Sequence, residues 1–179
     1  MAEPVVVVDY DPAWRALFDE EKARLSAAIG HLVADVQHVG ATSVPGCGGK
    51  PAIDIMVGVS DLAVGEQCIQ PLADLGYEYK GEQGIPGRLY FGKGQPRTHR
   101  LHMVRTDGDF WRDLILFRDY LRAHPETAEE YYRLKKELAS RFGADREGYT
   151  GAKTPFIQAV LAEARAGPGR PSRTAKSQP

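Results

Sequence analysis

Cysteine is scarce. Cys47 and Cys68 are the only two in 179 residues. They form no C-x-x-C pair, and two are too few for a disulfide scaffold or a thiolate zinc site. Excess charge of one sign is also missing: 23 Lys and Arg face 24 Asp and Glu, a formal net charge of −1. The chain as a whole therefore has no electrostatic pull toward nucleic acid, although a local basic patch is allowed. No apolar run approaches the roughly 20 residues that span a bilayer. The apolar segment Pro4–Val8 is short, lacks a basic flank and runs into Asp9, so it does not read as a signal peptide. Internal repeats are absent. What remains is a cytoplasmic chain with reduced thiols. Its hydrophobic fraction of 42% is ordinary for a globular protein and gives a chain of this length a proper core.

Periodicity divides the chain into elements. Val5–Val8 is β-branched and predicts a strand. Asp11-Pro12 predicts a helix start, and Trp14, Leu17, Phe18, Leu25, Ala28 and Ile29 carry that helix to about residue 29. Strands are expected over 33–39 and 52–59, joined by a loop, 40–51, rich in glycine and proline. Residues 62–75 predict a helix capped by Ser60 and broken at Pro71. After Tyr77–Tyr79, paired strands are expected over 89–93 and 98–105. Three helices follow, over about 110–123, 125–142 and 150–166. The pattern predicts an α+β (mixed α/β) domain over residues 1–166, with flanking helices and a helical C-terminal part. Residues 167–179 are polar and predict a disordered tail.

Three features could carry chemistry. The loop Gly40-Ala41-Thr42-Ser43-Val44-Pro45-Gly46-Cys47-Gly48-Gly49-Lys50 offers close backbone approach, hydroxyls and a lysine, as anion sites do. It lacks the Walker A ending, because Pro51 follows Lys50, and a plain flexible connection is the competing reading. Asp54 interrupts an apolar strand; alternation sets it and Met56 opposite Ile53, Ile55 and Val57. A buried carboxylate requires a partner, structural or functional. In Arg97-Thr98-His99-Arg100-Leu101-His102-Met103-Val104, alternation puts His99, Leu101 and Met103 on one face and Arg100, His102 and Val104 on the other. Isolated histidines are usually structural, but His99 and His102 are also candidates for proton transfer. Lys93, Arg97 and Arg100 make a basic cluster suited to an anion. The charged positions 118–124 and 145–153 read as solvated faces and caps.

Several of these motifs, in order, resemble the GrpB family (UPF0157). They are His38-Val39-Gly40-Ala41-Thr42-Ser43-Val44-Pro45-Gly46, Lys50-Pro51-Ala52-Ile53-Asp54-Ile55, Arg97-Thr98-His99-Arg100-Leu101-His102, Phe117-Arg118-Asp119-Tyr120-Leu121-Arg122 and Tyr149-Thr150-Gly151-Ala152-Lys153. The resemblance runs from Val5 to about Ala164 and implies a nucleotidyltransferase-like mixed sheet. In that superfamily a glycine turn, an acidic-x-acidic strand and a third acid hold two metals. Here Ala41 stands where Ser is usual, Met56 at the second acid and His102 on the third acid's strand. The resemblance thus implies at most one divalent ion (Mn²⁺, Mg²⁺ or Zn²⁺) on Asp54 and His102, or none.

The expected ligand is a nucleotide or other phosphorylated small molecule. Gly40, Thr42, Ser43, Lys50, Lys93, Arg97 and Arg100 would hold it, and Asp54, His102 and His99 would act on it as a transferase. Nucleic acid is not an expected partner. Two alternatives stand beside this. One is a non-catalytic folding-assistance or regulatory module with a protein partner, like the domain fused to dephospho-coenzyme A kinase. The other is a specialised small-molecule tailoring enzyme.

Overall fold

A computed structural model describes residues 3–167. A first helix, α1 (Ala13–Ile29), leads into β1 (Asp35–Val39), a short 3-10 turn (Ala41–Ser43) and β2 (Ile53–Val59). Two short helices, α2 (Leu62–Gln67) and α3 (Ile69–Asp74), precede β3 (Tyr77–Tyr79), β4 (Leu89–Lys93) and β5 (His99–Arg105). The chain ends in α4 (Asp109–Ala123), α5 (Pro125–Phe142) and α6 (Arg146–Ala166). The five strands form one sheet in the order β1-β2-β5-β4-β3. Only the central β2–β5 pair is parallel; the other neighbours run antiparallel.

Alternation assigns the two sheet faces. Ile53, Ile55, Val57, Leu101 and Met103 pack with Trp14, Phe18, Leu25 and Ile29 of α1 and with Leu72 of α3. Burying each such side chain fully contributes about 1.5–3 kcal/mol, so this layer dominates the fold's stability. The opposite face carries Val39, Met56 and Val104, which meet Phe110, Trp111, Leu114 and Ile115 of α4. Asp54, Arg100 and His102 share that second face, so the helices α4–α6 close over them.

The main core holds one charged group. Glu21 of α1 is fully buried. Tyr77 Oη donates to it at 2.7 Å, Lys93 Nζ at 2.8 Å and Arg24 at 3.0 Å. Burial tends to raise its pKa, but these donors outweigh burial and hold it below the usual carboxylate range.

The structure departs from the expected elements in a few places. Val5–Val8 makes a single bridge, Val8 to Gly49, in place of a strand. Val5 and Val7 instead pack on Leu138, Tyr149 and Phe142 at the helical layer. Asp61, not Ser60, caps α2 by accepting from Ala63 N. The break in the second helical region falls at Cys68, which lets Pro71 sit in the first turn of α3, where its missing N–H is harmless. The last helix starts earlier than expected, capped by Asp145 accepting from Gly148 N. Apart from Gly167, the predicted tail lies outside the described residues. No described helix is long and apolar enough to cross a membrane.

The Glu21 cluster yields a prediction. Lys93→Met removes one of three donors to a buried carboxylate, and losing a hydrogen bond to a charged group costs about 1.5–3 kcal/mol. Urea unfolding monitored by circular dichroism should show a lower midpoint with an unchanged m-value.

Candidate functional site

Asp54 lies directly beside Arg100 in the parallel register of β2 and β5. Arg100 Nη2 donates to Oδ2 at 3.2 Å, and Nε stands 3.0 Å from Oδ1. The Nε approach is a charge contact, not an aligned hydrogen bond; among the described residues that buried nitrogen has no hydrogen-bond partner. His102 brings Nε2 to within 3.6 Å of the same Oδ1. Its Nδ1 pairs with Arg88 Nη1 at 3.2 Å. A guanidinium can only donate, so Nδ1 accepts and the ring proton sits on Nε2, facing Asp54. Burial pushes the His102 pKa below its ordinary value against the pull of Asp54, so the ring is neutral at neutral pH. For Asp54, burial alone would raise the pKa. The Arg100 charge and the His102 N–H outweigh it and hold the carboxyl at about 2.

The glycine loop is shaped around this carboxylate. Gly40 has φ 71°, and a Cβ there would meet Asp54 Oδ2 at 2.6 Å, so two separate constraints require glycine. Ser43 Oγ turns back to Gly40 O at 2.5 Å, closing the 3-10 turn. Thr42 Oγ1 pairs with His38 Nε2 at 2.9 Å. Burial lowers His38 to about 4, and its ring stacks on Phe18 with centroids 4.5 Å apart. From α4, Arg122 Nε donates to Ser43 O at 2.8 Å and Arg118 Nη1 to His38 O at 3.0 Å.

Between loop, sheet and helices lies a cavity of about 360 Å³. The sheet side supplies Lys50, Asp54, Arg100 and His102. The helices supply Tyr131 and Lys135 from α5 and Tyr149 and Lys153 from α6. Both tyrosine–lysine pairs sit at i, i+4 spacing, which puts each pair on one helix face. Lys50 Nζ and Lys153 Nζ lie 4.9 Å and 4.5 Å from the centre of the Tyr149 ring, and Lys135 Nζ lies 4.5 Å from that of Tyr131. Lys135 is only 3% exposed, and its Nζ donates to Gly48 O. Burial, then repulsion from Lys50, Lys135 and Arg100, lowers Lys153 to about 7. Burial and Arg100 lower Lys50 to about 8. These lysines lose charge chiefly because they are buried, and the neighbouring cations add to the effect.

Of the residues singled out in the sequence, Gly40, Thr42, Lys50, Asp54, Arg100 and His102 come together at this cavity. Ser43 lines a different depression, with its hydroxyl turned into the loop. His99 and Lys93 lie on the opposite face of the sheet: His99 Nδ1 pairs with Thr98 Oγ1 at 2.9 Å, and Lys93 is held by Glu21. Arg97 crosses Gly92, which has no side chain to block it, and lines an adjoining cavity that shares Lys50 and Arg100.

The profile described as "GrpB protein" matches residues 4–163. The chain belongs to the GrpB family. It is 39% identical over 165 residues to the Glutamate-rich protein GrpB of Alkalihalophilus pseudofirmus, covering 89% of this chain and 95% of that protein. It also aligns with the dephospho-CoA kinase of Mycolicibacterium paratuberculosis at 28% identity, over 87% of this chain but only 44% of the kinase. The crystal structure of conserved protein GrpB from Enterococcus faecalis superposes with a TM-score of 0.80 at 36% identity, covering 89% of this chain and 96% of that one. The Cid1 poly(U) polymerase superposes with a TM-score of 0.52 at 14% identity, covering 75% of this chain and 44% of the polymerase. That last likeness concerns the fold alone: a nucleotidyltransferase-like mixed sheet with flanking helices.

On the sheet side of this cavity Asp54 is the one acid among the described residues, where two metal ions would need several. Among the described residues no three His, Cys, Asp or Glu side chains gather as metal ligands would. Both Asp54 oxygens face Arg100, and His102 presents an N–H rather than a lone pair. Met56 is fully buried against Val39 and Val104. Hard divalent ions take several free oxygens, and this donor set does not fit one.

Sequence reasoning missed Lys135, Tyr131, Tyr149 and Lys153. Position 153 read as part of a cap and surface segment. The repeated Tyr-x-x-x-Lys spacing in α5 and α6 was the available signal.

Lys153 gives a prediction with a definite sign. Its pKa falls from 10.5 unfolded to about 7 folded. Between these values the unfolded chain binds more protons, so stability rises with pH across that window, and the penalty is complete below about 7. Lys153→Met should therefore raise Tm near pH 6 by about 4 °C, the scale of 1–2 kcal/mol in a chain of this size, and by less toward pH 10. Calorimetry across that range checks it.

Proposed function

We propose that the cavity at Asp54 binds a nucleotide or another phosphorylated small molecule. One observation carries the proposal: Lys50, Lys135 and Lys153 converge on a space whose carboxylates, Asp54 and Asp113, are already engaged by Arg100 and Arg165. Positive charge is left over. Buried cations without counter-charge are costly, and an anionic ligand supplies what is missing. The volume lies at the lower end of the range for small-molecule sites. Tyr131 and Tyr149 add apolar walls against which a base or acyl group can pack. The nucleotidyltransferase-like fold and the phosphate bound in such frames favour the same ligand class. A cytoplasmic setting accords with Cys47 and Cys68, both free and buried.

For transfer chemistry the side chains divide by their proton affinities. Asp54, at about 2, is too weak a base to abstract a proton near neutrality, and it serves to anchor Arg100. Neutral His102 orients Asp54. Lys153, at about 7, is matched to accept a proton from an acceptor hydroxyl at working pH. A transferase built here would rely on charge stabilisation by Arg100 and the lysines.

A second reading, a regulatory or folding-assistance module, is favoured by the alignment with part of a dephospho-CoA kinase. Its own test is whether the purified chain raises the refolding yield of such a kinase.

The first reading predicts that AMP, ADP and coenzyme A, tested as a thermal-shift panel, include members that raise Tm. Lys50→Met with Lys153→Met should weaken that binding at least tenfold in calorimetric titration. A flat panel sinks the proposal. With sulfate, which does not titrate in this range, affinity should be higher near pH 6 than near pH 9, because lysines protonate as the anion binds.

A further inference from the structure

We infer that the ligand of this cavity is an organic diphosphate taken up free of divalent metal, with the chain's own cations standing where metal ions would bridge phosphates. The inference rests on the phosphate reading above and narrows it. Two sets of observations carry it, one on the missing metal and one on the second phosphate.

The first set is the arrangement around Asp54. Its two oxygens face Nε and Nη2 of Arg100 at 3.0 and 3.2 Å, and His102 Nε2–H stands 3.6 Å from Oδ1, a charge contact too long for a hydrogen bond that still crowds that side. Arg88 fixes that tautomer from the far side of the ring. The backbone at Gly40 closes another approach, since even a methyl group there would sit 2.6 Å from Oδ2. A metal ion would have to displace a guanidinium and then sit among Lys50, Lys135 and Lys153. Like-charge repulsion opposes this, whereas a phosphate dianion gains from every one of those groups.

The second set is the adjoining cavity of about 610 Å³. It shares Lys50 and Arg100 with the first and adds Lys80, Arg97 and Arg146, with Glu3 as the one acid lining it. Lys80 pairs with Glu78 at 2.9 Å, and Arg97, which also feels Glu78, lines this space with Arg146. Lys50 stands at the border beside the Arg100–Asp54 pair, where its one charge can reach two linked phosphates at once. Phosphate esters that arrive with Mg²⁺ bring their own counter-charge, and this double cationic surface would attract the complex less strongly than the free anion.

Calorimetric titration of the full chain with inorganic pyrophosphate and inorganic phosphate, in EDTA and in excess Mg²⁺, tests the inference. Pyrophosphate should bind in EDTA at least tenfold more tightly than phosphate, and excess Mg²⁺ should weaken it by sequestering the free anion. Arg97→Ala, at a half-buried rim position, should lower pyrophosphate affinity by about tenfold while leaving phosphate affinity within twofold. Mn²⁺ added alone should give no stoichiometric binding by electron paramagnetic resonance. Three results would each overturn the inference: pyrophosphate binding that requires Mg²⁺ or Mn²⁺, equal affinity for the two anions, or one bound Mn²⁺ that Asp54→Asn removes. If neither anion binds in any condition, the phosphate reading itself fails and takes this inference with it.

Discussion

The ion pair between Asp54 and Arg100 organises the site. A carboxylate inside an apolar strand is tolerated only with a partner, and the parallel register of β2 and β5 delivers one directly alongside. Around that pair the rest is fitted. Gly40 must lack a side chain to pass the carboxylate. His102 must show its N–H to it, and Arg88 keeps the imidazole in that state. Because Arg100 already neutralises Asp54, the lysines of the loop and of α5 and α6 are left without a counter-charge.

This arrangement inverts the electrostatics expected of the fold. A nucleotidyltransferase-like sheet that uses metals places acids on neighbouring strands, and those acids attract cations. Here the equivalent surface holds Asp54 with Arg100, Met56 and His102, and lysines arrive from the helical layer. The frame is kept while the sign of the site is reversed. On the reading proposed above, a positively charged cavity would draw free anions and oppose metal ions by the same field.

Much of the fold was legible because local rules agreed. Period-two alternation placed Ile53, Ile55 and Val57 on one face and Asp54 on the other, as the structure has it. Pro125 marked the start of α5 because its ring suits a first helical position. The failures have physical causes. Val5–Val8 has strand composition, but Val5 and Val7 are drawn onto Leu138, Tyr149 and Phe142, and only the Val8–Gly49 bridge forms. Ser60 and Asp61 are both good caps, and sequence does not rank adjacent ones. His99 and Lys93 belong to the right basic cluster in sequence, but alternation and the buried Glu21 draw them to the opposite face. Lys135 and Lys153 reach the site through helix packing, which brings together residues far apart in the chain.

The account depends on Asp54 being ionised and held by Arg100. The carboxyl carbon of Asp54 can be followed by ¹³C NMR as pH is lowered, with Asp54→Asn to assign it. A midpoint at about 2 is the predicted result. A midpoint at or above the ordinary 3.8 would mean that Arg100 does not hold the carboxylate, and the cationic cavity described here would lose its basis.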